Sequence, residues 1–475
     1  MPEKRRKVAV FGLDCATPQL VFGQFREHLP NLKALMDTGV WGRLRSSDPP
    51  ITCPAWMVML TGATPGELGI YGFRNRTDHS YENLATANST WIRRETVWDV
   101  LSREGLESAV FAVPLTYPPK PLRGRLVGCF LTPGPDAKFT QPPALREELR
   151  AACGPYQPDA AEFRTDDKDA LYARILSALE NHEAYCRHLL TCGPWDFFMM
   201  VEMGVDRMHH GYWKYFDPQH REYAPGNPHE GKMLDFYRRA DQMLGRLWEQ
   251  LPDDAWITVV SDHGARPLEG VVRFNEWLIQ KGLLTLRQRP ATPVALNKCE
   301  VDWTKTKAWG DGGYYGRCFL NIRGREPSGT IPPEEVESFK AQLTDELVAM
   351  TDERGALLGN VVLRPEKIYP KVNGVAPDLI VYFGGLRYRS AGLVGGSEAS
   401  VLAYHNDTGP DDANHDLEGI FIAGSKARMR AGTPGKGERS GLRIEQTAAT
   451  LLHMAGVVPP QEMGSPLALN GFLDA

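Results

Sequence analysis

No stretch of this 475-residue chain approaches the roughly 18 uninterrupted apolar residues of a membrane-crossing helix, so no membrane span is expected. Cysteine is sparse and scattered, at positions 15, 53, 129, 153, 186, 192, 299 and 318, with no CxxC pair. That spacing argues against a zinc ribbon or a disulfide framework and fits small buried hydrophobes in a reducing compartment. Basic charge is not in surplus: Lys plus Arg at 54 against Asp plus Glu at 59 leaves −5, which excludes a general binder of nucleic-acid polymers. The opening MPEKRRKVAVFGLD carries a basic run, but its apolar stretch is short and ends at Asp14 without a small-residue cleavage site, so a cytoplasmic location is expected. Internal repeats and low-complexity tracts are also missing. What remains is ordinary for a folded globular protein, 42% hydrophobic and 24% charged.

Short β-type runs recur at Val8 to Leu13, Ser108 to Val113, Arg125 to Leu131, Phe197 to Met203, Trp256 to Val260, Leu379 to Phe383 and Gly419 to Ala423. Helical patterns intervene, most clearly Ala170 to Leu190 and Phe236 to Leu251. Apolar strands without strict alternation, separated by amphipathic helices, indicate an α/β protein whose mostly parallel central sheet is sandwiched by helices. The texture changes between 266 and 399, where Gly and Pro are frequent and strands short. An inserted cap or lid subdomain is expected there, with the catalytic core built from 1–265 and 400–475. The pieces Pro133 to Pro143 and Ala431 to Ser440 read as loops.

Open sheets of this kind bind ligands beyond the carboxyl ends of their strands. Asp14, Asp206 and Asp262 each follow such a run. Asp206 and His210 stand four apart, and Asp262-His263-Gly264 offers adjacent ligands beside a residue that lets the backbone turn. Neighbours on a regular strand face opposite ways, so Asp262 and His263 can share a site only where the strand bends at its end. Carboxylates and imidazoles are the donors that hold divalent metals active on phosphate esters. Thr52, in Pro49-Pro-Ile-Thr-Cys-Pro54, is a weak nucleophile unless a base or metal activates it.

Taken singly these residues have bland readings. An aspartate at a strand end commonly caps a helix, and paired histidines are commonly structural. His209 is set aside as facing elsewhere, and Cys15 and Cys53, each beside a site residue, are weak contenders as ligands. His405 and His453 compete with His415, but His453 falls in the helical run Gln446 to Met454 among leucines. Gly310 to Gly316 lacks the strand, GK[ST] and helix of a phosphate-binding loop. Tyr212, Trp213, Tyr215 and Phe216 fit core packing at least as well as a pocket wall.

The stretches VAVFGLDCATP, PPITCPAWMVMLTGATPGELGIYGF, VEMGVDRMHHGYW, VVSDHGARP and NHDLEGIFIAG, in that order, resemble the alkaline phosphatase superfamily. The likeness is to its type I phosphodiesterase and nucleotide pyrophosphatase branch and the related phosphohydrolase/phosphomutase group. The resemblance implies two divalent ions, zinc favoured and manganese second: one held by Asp14, Thr52, Asp262 and His263, the other by Asp206, His210 and His415. It also implies attack by Thr52 on a small phosphorylated substrate through a phosphothreonine intermediate, and His415 as the last ligand because Asn414-His-Asp-Leu-Glu-Gly matches the family's loop-then-strand pattern.

Two departures stand out. Ala55 occupies the position where the nucleotide pyrophosphatases carry an asparagine that holds a phosphate oxygen, and Leu68 replaces a histidine of many relatives. A phosphodiesterase is the leading expectation. A phosphomutase or phosphomonoesterase is the alternative, although family mutases use serine and a large insertion soon after it. A sulfatase lacks support because Thr52-Cys-Pro-Ala-Trp56 has no arginine of the sulfatase motif. A non-catalytic binding protein is the alternative of another class.

Overall fold

The computed structural model describes residues 6–396, 400–406, 409–469 and 472; the basic start of the chain up to Arg5 lies outside them. The chain divides into two compact units, one formed by residues up to Leu68, Ala87–Ala265 and His415 onward, the other by Gly69–Thr86 and Arg266–Asn414.

The first unit is built on nine strands: β1 (Val8–Leu13), β2 (Val40–Arg45), β3 (Ser108–Phe111), β4 (Gly124–Val127), β5 (Thr140–Gln141), β6 (Phe197–Glu202), β7 (Trp256–Val260), β8 (Glu418–Ser425) and β9 (Gly437–Arg443). Their order in the sheet is β9-β2-β8-β7-β1-β6-β3-β4-β5. β1 lies parallel to β6 and β7, β3 parallel to β4 and β6, and β2 parallel to β9, while β8 runs antiparallel to β2 and β7 and β5 antiparallel to β4. The sheet is therefore mostly parallel, and β1, β3, β6 and β7 are buried along their length, as strands covered on both faces must be.

Register decides where the site falls. Leu13 lies opposite Glu202 and Gly12 opposite Val260, so β1, β6 and β7 end level with one another. Phe421 lies opposite Val260 on the antiparallel β8, which therefore begins at that same edge.

Helices α1 (Pro30–Thr38), α2 (Thr52–Thr61), α3 (Lys168–Thr191), α4 (Gly204–Phe216), α5 (Lys232–Glu249) and α6 (Thr447–Met454) pack around the sheet. Asp167 caps α3, accepting from the Ala170 N–H at 3.0 Å. Leu171, Ile175, Leu179 and Leu189 of α3 and Phe236, Met243, Leu244 and Leu247 of α5 enter one core, where Phe11 meets Phe198 and Trp248 at 5.7 and 6.1 Å between ring centres. Every residue of α2 is buried, as expected of a helix apolar all round.

The second unit has its own core around Phe274, Trp309, Phe319, Leu343 and Phe383. Its main sheet is antiparallel, in the order Ala308–Asp311, Gly316–Leu320, Leu379–Tyr382, Val361–Leu363. The Leu379 run thus belongs here and not to the central sheet, and Gly310 to Gly316 is a hairpin turn. The segment 69–86, which the sequence placed with the core, packs in this unit because Tyr81 stacks on Trp303 at 3.7 Å and Arg76 pairs with Glu326 at 3.3 Å. Residues 400–414 join it too. Arg317 and Arg325 are engaged in pairs with Asp311 and Asp378.

Two stretches read as loops contain strands: Pro133 to Pro143 holds the two-residue β5, paired with β4, and Ala431 to Ser440 runs into β9 at Gly437. β9 is an edge strand whose side chains are mostly exposed, so no apolar run announces it.

Candidate active site

Asp14 is the first residue past β1, its N–H donating to the Glu202 carbonyl at 3.0 Å. Thr52 opens α2, where the Thr52 and Cys53 N–H groups have no carbonyl partner within the helix, Pro54 carries no N–H, and the Ala55 N–H donates to the Ile51 carbonyl at 3.0 Å. Asp206 and His210 lie one turn apart on α4 and share a face. Asp262 and His263 occupy the bend after β7, where Gly264 passes so close to the Glu418 carbonyl that a Cβ would sit 2.1 Å from it. His415 precedes β8. The structure brings all of these residues together, and all are buried.

The contacts converge on one small space. Thr52 Oγ1 lies 3.3 Å from His263 Nε2. His263 Nε2 is 3.2 Å from Asp262 Oδ2 and 3.8 Å from Asp14 Oδ1. Asp206 Oδ1 is 3.2 Å from His210 Nε2 and 3.7 Å from His415 Nε2, and those two ring nitrogens are 3.3 Å apart. The His263 and His415 rings stack at 3.8 Å.

Each carboxylate has one oxygen held and one oxygen aimed inward. The Trp56 indole N–H donates to Asp14 Oδ2 at 2.7 Å, the Cys15 N–H to Asp262 Oδ1 at 3.3 Å, and Arg207 Nη1 to Asp206 Oδ2 at 2.6 Å. Arg207 is itself fixed by Asp159, at 3.0 Å from Nε and 2.6 Å from Nη2. The opposite oxygens, Asp14 Oδ1, Asp206 Oδ1 and Asp262 Oδ2, are buried without a hydrogen-bond partner. The imidazoles follow the same logic. His263 Nδ1 meets the Gly264 carbonyl at 3.1 Å and His415 Nδ1 the Pro50 carbonyl at 2.9 Å, so each Nδ1 carries the proton and each Nε2 presents a lone pair.

Three unsatisfied carboxylate oxygens facing imidazole lone pairs repel one another unless cations lie among them. Burial, with Asp206 and Asp14 as like-charged neighbours, raises the pKa values of Asp14 and Asp262 well above the carboxylate range. Burial acts on Asp206 in the same direction, but His210 and the Arg207 guanidinium outweigh it and hold that carboxyl well below. Burial drives the His263 pKa down to about 4 and, with His263 and His210 nearby, pushes His415 far down as well. The donor set fits divalent cations: Asp14, Asp262 and His263 form one cluster with ligand atoms within 4.8 Å, and Asp206, His263 and His415 another. His263 thus borders both clusters, and His210 lies against the second.

The other contenders fall away. His209 turns from the site to Tyr237, 2.9 Å from its hydroxyl. His405 is exposed and His453 half-buried on α6. The Cys15 thiol faces the Gly264 carbonyl at 3.3 Å, and burial raises the pKa of both Cys15 and Cys53. Tyr212 and Trp213 are core residues. The sequence reading missed Trp56, Arg207 and Asp159 as supports. Trp56 reaches Asp14 because Gly12 has no side chain: a Cβ there would meet the indole at 2.5 Å.

A mostly parallel sheet carrying carboxylates, imidazoles and a hydroxyl at one edge is the architecture of the alkaline phosphatase superfamily. A sequence profile for type I phosphodiesterase/nucleotide pyrophosphatase matches residues 8–411, and the chain belongs to that family. No curated protein matches it in sequence. Among solved structures it is similar to human ectonucleotide pyrophosphatase/phosphodiesterase 5, at 14% identity and TM-score 0.51 over 96% of each chain. The murine counterpart, inactive and in complex with AMP, is 13% identical with TM-score 0.51, again over 96% of each chain. Phosphonoacetate hydrolase from Sinorhizobium meliloti 1021, in complex with phosphonoformate, is 17% identical with TM-score 0.60, over 95% of this chain and 96% of that one. At these identities the likeness speaks for the fold.

Proposed function

We propose that the chain is a metal-dependent phosphoric ester hydrolase, acting on phosphodiesters in preference to monoesters, with Thr52 as nucleophile. The observation that carries this reading is Thr52 Oγ1 placed 3.3 Å from His263 Nε2, among three buried carboxylate oxygens without partners. Family membership supports the same reaction class. Asp14, Thr52, Asp262 and His263 would hold one ion and Asp206, His210 and His415 the other. Two divalent ions, zinc ahead of manganese, would when bound supply Lewis acidity and positive charge at the site.

The chain's own residues do the rest. Trp56, Cys15 and Arg207 hold the carboxylates so that one oxygen of each points inward. Thr52 sits at the start of α2, so a phosphoryl group on its hydroxyl would lie at the helix N-terminus, where the Thr52 and Cys53 N–H groups have no partner within the helix and can serve as donors. These donors stand in for the asparagine that Ala55 replaces. As the bond from Thr52 Oγ1 to phosphorus forms, the bond to the leaving alcohol breaks. The threonine proton passes to solvent, and solvent protonates the leaving group. Water then attacks phosphorus, frees Thr52 and yields the remaining phosphomonoester.

The test is kcat/KM for an activated phosphodiester and the matching monoester, on zinc- and manganese-loaded protein, with Thr52→Ala as the blank. A diester preference that falls by at least about a thousandfold in the blank, with metal content retained, is expected. A monoester preference would favour a phosphomonoesterase or phosphomutase, and turnover surviving in Thr52→Ala would remove Thr52 as nucleophile.

A further inference from the structure

Apart from the Thr52 site, one other group of metal-ligating side chains meets within ligand distance among the described residues: Glu148, His188 and Cys192, whose donor atoms lie within 4.8 Å of one another. His188 is in the last turn of α3 and Cys192 is its C-cap residue. Four residues apart at a helix end, the two project from the same side. Glu148 comes from the preceding helix, Leu145–Cys153, which is fastened to α3: the Cys153 thiol meets the Ala184 carbonyl at 3.5 Å, and the Tyr185 hydroxyl donates to the Gly154 carbonyl just past that helix at 2.8 Å. The three donors therefore stand on two helices packed against each other.

A histidine–glutamate contact alone would be an ordinary surface ion pair, here 2.6 Å from His188 Nε2 to Glu148 Oε1. The thiol beside it changes the chemistry, because thiolate, imidazole and carboxylate together match zinc and are a poor set for magnesium or calcium. Burial raises the Cys192 pKa, Arg125 opposes this, and Glu148 adds to it, so the thiol keeps its proton in the absence of a cation.

We propose that Glu148, His188 and Cys192 form a second zinc-type cation site, three protein ligands with the fourth position open to water. Binding exchanges the thiol proton for the metal–sulfur bond and releases that proton to solvent. The site holds its ion independently of the reaction proposed at Thr52 and would stand if that reading failed. It joins the helix Leu145–Cys153 to the end of α3, so zinc there clamps two helices on the side chains of three residues.

Cobalt(II) titration of the full-length protein tests it, because a cobalt–thiolate bond gives an intense charge-transfer absorption that carboxylate and imidazole ligands do not. Cys15 and Cys53 lie beside the Thr52 cluster, so Cys192→Ser, which leaves both of those thiols in place, is the variant that assigns the band to this site. Wild-type protein, titrated past the cobalt taken up by the Thr52 cluster, should develop the band to an amplitude of one thiolate-bound cobalt per chain, Cys192→Ser should lose it, and His188→Gln should need at least tenfold more cobalt. A missing band in the wild type, or one that survives Cys192→Ser, overturns the proposal. Should Cys192→Ser fail to fold, alkylation of the native wild-type protein decides the matter: zinc should slow modification of Cys192 at least tenfold, and an unchanged rate overturns the site.

Discussion

Trp56 is the residue whose role rests on a single atom. Its ring packs against Gly12 while its N–H fixes Asp14 Oδ2 and leaves Oδ1 facing inward. Trp56→Phe keeps most of the packing and removes the donor, and changes of that kind beside a metal ligand typically cost about 10–100-fold in metal affinity. Competition of the apoprotein with a chromogenic zinc chelator measures it, and unchanged affinity would reduce the indole to packing. The proposed ligands were legible in the sequence because motif order names residue types. The support from Trp56 was not, since the contact with Asp14 spans 42 positions and depends on how α2 lies against β1.

At the scale of elements, α3 is tied to the end of β6 by a buried pair. His182 Nδ1 is 2.8 Å from Glu202 Oε2 and its Nε2 is 2.7 Å from the Gln157 carbonyl, so both ring nitrogens face acceptors and the doubly protonated ring suits the site. Burial lowers the His182 pKa, but Glu202 and the Gln157 carbonyl outweigh it and leave the pKa raised. A raised folded-state value means that the pair's stabilisation is complete below about pH 6.5, the unfolded histidine value, and is lost as pH climbs through the folded one. His182→Gln should therefore lower Tm most in mildly acidic buffer and progressively less in alkaline buffer. A Tm difference that grew with pH would mean that the ring is neutral in the fold. The sequence pattern located α3 from its apolar spacing, and could not locate β9, whose exposed side chains give an edge strand no pattern to read.

For the whole molecule, the first unit gathers seven charged, imidazole or hydroxyl side chains from positions 14 to 415 at the level ends of β1, β6 and β7 and the start of β8. Such a cluster costs stability when it is empty of cations, so chelation should lower Tm and zinc should restore it, each bound ion adding about 2.7 kcal/mol of stability at a hundredfold excess over its Kd. Calorimetry with and without chelator checks this, and an indifferent Tm would contradict a cation site. The sequence by itself determined the class of fold, through apolar strands alternating with helices, and the chemical identity of the donors, because both are properties of local pattern and residue type. Tertiary structure alone decided which oxygen of each carboxylate is held and which is left bare, that His263 borders both ligand clusters, and that 69–86 packs with the second unit. Those depend on strand register and on contacts between residues far apart in the chain, which no local pattern encodes.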